Sequence, residues 1–155
     1  MALKIHHRIL QRGYLAYSRF ARGMTLGVRA MLLKDDEIVL VEHSYMPGWY
    51  LPGGGVEAGE TLGDALAREI EEETGAGLTG PAKLFGIYRN GEADPRDHVG
   101  LFVCRDWRQR PDWKPNREII AMTTFSLSAL PEGTTPATHR RIHEVLTGNP
   151  PAPDW

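Results

Sequence analysis

The sequence predicts an α+β fold of three layers, α/β/α, around a mixed central sheet. Three observations carry that prediction. Strand-like and helix-like segments interleave without a regular βαβ rhythm, which argues against a doubly wound sheet. The chain has 155 residues, 41% hydrophobic and 25% charged, the size and composition of one ordinary globular domain. Its longest apolar runs, such as residues 30–33 (AMLL) and 38–41 (IVLV), suit buried strands and fall far short of the ~20 residues of a membrane-spanning helix.

Residues 3–21 place Ile5, Ile9, Leu10, Tyr14, Leu15 and Tyr17 at helical spacing, interrupted by Gly13 and closed before Gly23. Residues 24–33 and 38–43 are β-favouring runs joined by Lys34-Asp35-Asp36-Glu37, the pattern of a hairpin. Pro47-Gly48 and Leu51-Pro52-Gly53-Gly54-Gly55 then punctuate the chain so densely that only a loop with a very short strand fits. A helix is expected over residues 61–74, capped by Thr61 with Asp64 three positions on and stopped by Gly75. Strands are expected at 83–88, 98–104 and 118–127, and a short helix at 138–146 with Ile142, Val145 and Leu146 on one face. The connection 106–117 contains Trp107, Pro111, Trp113 and Pro115 and is long enough to be functional. The chain thus divides into a basic helical segment (1–23), a domain (24–147) and a Pro-rich tail (148–155) expected to be extended or disordered.

The net charge of −2 hides an asymmetry, since no Asp or Glu precedes Asp35 while Lys4, Arg8, Arg12, Arg19, Arg22, Arg29 and Lys34 do. Such a segment can meet phosphates, nucleic acid or an anionic membrane, although most charge runs are solvated helix faces. Cys104 is the only cysteine, which excludes an internal disulfide, and its strand-like surroundings suit a small buried hydrophobe. MALKIHHRIL lacks the apolar region of a signal peptide, so a reducing cytoplasm is the expected location.

The stretch REIEEETG, residues 68–75, sets four glutamates into five positions at the end of the expected helix. There the helix dipole and like-charge neighbours both oppose them. On a helical wheel Glu72 and Glu73 fall about 60° and about 40° to either side of Glu69, while Glu71 points away. The same sector carries Leu62, Ala65 and Leu66 in earlier turns, so Glu69, Glu72 and Glu73 are expected to face the protein body. Two carboxylates ~4 Å apart repel by roughly 4 kcal/mol at an effective dielectric near 20, and a divalent cation supplies the missing counter-charge. All-oxygen ligation selects a hard ion, Mg²⁺ first with Mn²⁺ as a substitute. The glycine run ahead of the helix suits backbone that must approach a ligand closely.

Together Gly54, Glu60, Arg68, Glu69, Ile70, Glu72, Glu73 and Gly75 resemble the signature of the Nudix hydrolases. That signature is a glycine, five residues, a glutamate, seven residues, then Arg-Glu, an aliphatic, any residue, Glu-Glu, any residue, glycine and an aliphatic. Ala76 stands where the family usually has a larger aliphatic. The resemblance implies the family's α/β/α sandwich and hydrolysis of a nucleoside diphosphate linked to another moiety. It implies metal ligation by Glu69, Glu72 and Glu73 with the Gly53 carbonyl, and support from Gly54 and from an Arg68–Glu60 ion pair. The proton acceptor is then either a box glutamate, Glu69 first, or the later Glu118. Homodimers occur in the family.

Substrate markers are sparse. Trp49 and Tyr50 before the glycine loop, Arg89 and Asn90 after the following strand, and Trp107 or Trp113 are candidates for contacting a base or sugar, with core packing the competing role of each aromatic. A module that senses a nucleotide without turnover predicts loss of box glutamates, yet all are present. An RNA-end pyrophosphohydrolase is a variant motivated by the basic N-terminal segment.

Overall fold

The structure, a computed structural model, describes residues 13–15, 17, 18 and 21–155. The helix expected over 3–21 lies largely outside the described residues, of which 13–15, 17, 18 and 21 are helical. Much of the basic segment falls outside them too.

Eight strands and two helices follow. They are β1 (Thr25–Lys34), β2 (Glu37–His43), β3 (Trp49–Tyr50), α1 (Leu62–Thr74), β4 (Ala76–Leu78), β5 (Lys83–Arg89), β6 (Asp97–Cys104), β7 (Trp107–Gln109), β8 (Ile119–Ser126) and α2 (Pro136–Thr147). The main sheet runs β3-β2-β1-β6-β5 with β8 on the other side of β2, and β4 pairs β7 separately. It is mixed as expected: β1 and β6 are parallel, and the other pairs are antiparallel.

The expected hairpin survives only at its turn, where Asp35 takes a left-handed φ of 54° and the pairs Leu33↔Ile38 and Lys34↔Glu37 form. Beyond those pairs β1 aligns with β6 over eight residues and β2 with β8. The reason is burial on both faces, which makes β1 a continuous apolar strand suited to the sheet interior. One face of the sheet packs Val28, Ala30, Leu32 and Val39 against Ala65, Leu66 and Ile70 of α1. The other packs Met31, Leu33, Ile38 and Leu40 against Ile142 of α2. Each such fully buried Leu or Ile contributes about 1.5–3 kcal/mol, so the two clusters fix both helices on the sheet. Cys104 is buried in the first cluster and its thiol is pushed up to about 12 by burial, in keeping with a packing role.

The C-terminal tail is extended and held in place. Arg89 N donates to Pro153 O (2.9 Å) and Trp155 N to Arg89 O (3.0 Å), adding a short bridge to β5. The Arg141 guanidinium lies over Tyr88 at 4.3 Å and over Trp155 at 5.5 Å, and bonds Asp154 O and Glu144.

Candidate active site

Helix α1 starts on the expected capping box: Thr61 Oγ1 accepts from Asp64 N (3.1 Å), and Asp64 Oδ2 accepts from Thr61 N (3.3 Å). It ends on Gly75 at φ 65°, whose N–H donates to Glu71 O (2.9 Å). Trp113 lies so close that a Cβ on Gly75 would come within 2.5 Å of it, and its indole donates to Glu72 O at 3.3 Å. That tryptophan therefore completes the helix end. Trp107 donates to Leu33 O (3.1 Å) and packs on the first core cluster. Packing is what occupies both candidate aromatics of the long connection.

The four glutamates separate as the wheel suggests, with one difference. Glu73 is buried, and the Glu69 side chain is 12% exposed, but that of Glu72 is 61% exposed. Glu72 sits at the rim, 3.6 Å from Arg68 and one turn below it, where solvent reaches it. Glu71 faces outward and pairs with Arg110 (2.5 Å), an exposed contact of small energetic weight.

The glycine loop meets these carboxylates from the sheet side. Val28 N donates to Gly54 O (2.9 Å) and Ala30 N to Pro52 O (2.8 Å), which laces the loop to β1. Gly53 adopts φ 140°, its N–H donates to Glu73 Oε2 (2.7 Å), and its carbonyl accepts from the Arg29 guanidinium. A Cβ on Gly53 would be driven into the Val28 carbonyl, and one on Gly54 would come 2.5 Å from the Glu69 carboxylate. Close approach to backbone thus requires glycine at position 53, while at position 54 a Cβ would displace the Glu69 carboxylate.

Arg68 ties the parts together. Its Nε and Nη2 grip Glu60 at 2.8 and 3.0 Å, its Nη1 reaches Glu69 (2.7 Å), and its Nη2 also donates to Gly55 O (3.0 Å). The bidentate grip holds the Glu60 carboxyl down to about 2. Burial pushes Glu69 up, with Arg68 opposing. Burial also pushes Glu73 up to about 7, opposed by the Gly53 N–H and Arg29 and reinforced by the charges on Glu69 and Glu118. A buried carboxylate and a half-buried one, both held back from ionising by burial, form a site that favours a positive charge.

The structure brings Glu118 to the same place from the entrance of β8. Its carboxylate accepts from the Tyr45 hydroxyl at 3.2 Å, and a carboxylate oxygen of Glu118, one of Glu73 and a ring nitrogen of His43 lie within 4.8 Å of one another. The His43 ring is buried between Tyr45 and Tyr50, with centroids 5.2 and 5.5 Å away, and burial followed by Arg29 lowers its pKa.

The substrate candidates divide. Tyr50 and Asn90 line a cleft of about 530 Å³ together with Arg29, Glu92 and Arg140, whereas Trp49 packs edge-on against Phe125 at 4.8 Å in the second core cluster. Arg89 pairs with Asp154 of the tail at 2.6 Å, and the Asn90 amide bonds Asp97 at 2.8 Å. Sequence reading missed Arg29, His43 and Tyr45 as site residues. For Arg29 a signal existed, a lone charge inside an apolar strand; for His43 it was a polar residue closing one.

No helix among the described residues is long and apolar enough to cross a membrane. A family profile described as the NUDIX domain matches residues 23–146. The chain is similar to an ADP-ribose pyrophosphatase of Methanocaldococcus jannaschii, 37% identical over 95 residues that cover 59% of this chain and 56% of that protein. It is similar to diphosphoinositol polyphosphate phosphohydrolase 2 of Rattus norvegicus, 37% identical over 91 residues that cover 55% of this chain and 50% of that one. The chain thus spans about half the length of these curated relatives. Among solved structures, a MutT NUDIX hydrolase from Burkholderia pseudomallei superposes with a TM-score of 0.68 at 27% identity, covering 78% of this chain and 97% of that one.

Proposed function

This chain belongs to the Nudix hydrolase family, and from that premise we propose that it hydrolyses the pyrophosphate linkage of a nucleoside diphosphate joined to a further moiety. One observation carries the reading: buried Glu73 and half-buried Glu69 stand one turn apart on α1 against a glycine loop, with Glu72 at the rim beside them. A divalent cation fits this donor set, because Glu73 resists ionisation up to about 7 without one. Carboxylate and carbonyl oxygens favour Mg²⁺, with Mn²⁺ as a substitute. Glu69, Glu72 and Glu73 would hold it with the Gly53 carbonyl, whose second lone pair is left by Arg29. When bound, the cation supplies neutralising charge to the pyrophosphate and acidity to water.

The remaining work falls to the chain's own groups. Arg68 fixes Glu69 and Glu60 in one orientation through its fork of donors. Either Glu118, exposed and oriented by Tyr45, or, where Glu118 is itself bound to a cation, Glu69 in the grip of Arg68 accepts the proton of the attacking water. Arg29 borders both the carboxylates and the cleft, where it faces the anionic substrate, while Tyr50 and Asn90 line the space for a base or sugar. A cleft of about 530 Å³ is of a size that accepts a nucleotide. The two curated relatives are named for substrates that share phosphoanhydride chemistry, which supports the reacting group more than the moiety attached to it.

The test is a screen of dNTPs, ADP-ribose, nucleotide sugars, dinucleoside polyphosphates and capped RNA with Mg²⁺ or Mn²⁺, run beside Glu72→Gln. Cation-dependent cleavage lost in the variant is the expected result. Cleavage in EDTA, or full activity in the variant, contradicts the mechanism; no cleavage of any substrate by the parent returns the chain to the sensing alternative.

A further inference from the structure

The two oxygens of Glu73 have different surroundings. Oε2 accepts the Gly53 N–H at 2.7 Å, whereas Oε1 lies 3.9 Å from His43 Nε2, beyond hydrogen-bond range. His43 is 3% exposed, and among the described residues neither of its ring nitrogens has a hydrogen-bond partner. Leaving a buried polar group unsatisfied is costly, and an imidazole so placed is asking for a ligand. Glu118 reaches the same place from the entrance of β8, and one donor atom from each of the three residues falls within 4.8 Å of the other two. An ion at ~2.0–2.2 Å from each donor would hold them about 3–4.4 Å apart, so a small side-chain adjustment closes the triangle. Glu118 and Tyr45 are exposed, which leaves the position open to solvent on that side.

We infer that His43, Glu73 and Glu118 form a mixed nitrogen and oxygen site for a divalent transition cation such as Mn²⁺, Co²⁺ or Zn²⁺, sharing Glu73 with the box carboxylates. The inference rests on the cation-binding reading of the box and adds to it a donor that Mg²⁺ does not favour. Imidazole suits transition cations, while Mg²⁺ keeps to oxygen and to its own waters. The box and this neighbouring position therefore differ in which ion they prefer. The shared carboxylate explains why Glu73 carries one oxygen committed to the glycine loop and the other directed at a histidine.

The experiment uses the full chain stripped with EDTA. Protein labelled with ¹⁵N in its six histidines is titrated with Zn²⁺, and the His43 ring resonances are followed; in parallel, Co²⁺ uptake is read from its visible ligand-field absorption in the parent and in His43→Gln. The expected result is a large shift of one His43 ring nitrogen, with Co²⁺ affinity at least about tenfold weaker in the variant and Mg²⁺ affinity unchanged. A His43 resonance unmoved at saturating Zn²⁺ overturns the inference, and that readout holds even if the variant folds poorly. If Glu69→Gln abolishes Mg²⁺ binding while Co²⁺ uptake ignores His43→Gln, the box reading stands and this one falls. If the parent binds neither Mg²⁺ nor Co²⁺, both fall.

Discussion

Removing the charge at Glu73 is expected to stabilise the cation-free protein at alkaline pH. The side chain is 6% exposed, and burial raises its carboxyl from 4.5 to about 7 in the folded state. A folded-state pKa above the unfolded value means that the native protein holds this proton more tightly. The associated stability is present below about pH 4.5 and is lost as pH rises through about 7. At ~1.36 kcal/mol for each pH unit separating the two values, the loss is about 3 kcal/mol. Glu73→Gln keeps an oxygen to accept the Gly53 N–H and offers its amide hydrogens toward His43, without the charge. Urea unfolding in EDTA should therefore find the variant about 3 kcal/mol more stable at pH 8, roughly 6–12 °C in melting temperature for a chain of this size, and level with the parent at pH 4.5. Adding Mg²⁺ should stabilise the parent and leave the variant unmoved. A variant no more stable than the parent at pH 8 in EDTA refutes the claim that Glu73 is a buried charge lacking its counter-ion.

Three further outcomes follow from the same geometry. Glu72→Gln, at an exposed position, should change unfolding free energy by no more than about 0.5 kcal/mol, while turnover falls beyond the roughly 10- to 100-fold typical of an outer-shell loss; paired melting and kinetic measurements check both. Arg68→Lys cannot reproduce the fork that grips Glu60 and reaches Glu69, so Mg²⁺ affinity by calorimetry should fall about tenfold or more. Gly53→Ala combines an unfavourable φ with a collision against backbone and should cost about 3 kcal/mol or more in a urea melt.

The helix that carries the site was legible in the sequence to within a residue, because Thr61, Asp64 and Gly75 are local signals that need no tertiary context. The facing of Glu69 and Glu73 was legible for the same reason, since the apolar stripe of α1 ends in them. The exposure of Glu72 was not, because its place at the rim depends on where the sheet and the glycine loop stop. Strands β4 and β7 were hidden by their length: Ala76-Gly77-Leu78 offers no β-branched residue, and its partner lies in a segment dominated by Trp and Pro. Arg29 and His43 were hidden by topology. Only the parallel pairing of β1 with β6 and the long pairing of β2 with β8 bring one strand's interior and another's end to the same carboxylate, that of Glu73.

The most direct test of the central claim is calorimetric titration of the EDTA-stripped chain with Mg²⁺, beside Glu69→Gln. Saturable binding in the parent that disappears in the variant is the predicted result. Equal binding in both, or none in the parent, would contradict the reading that the crowded glutamates of α1 exist to hold a cation.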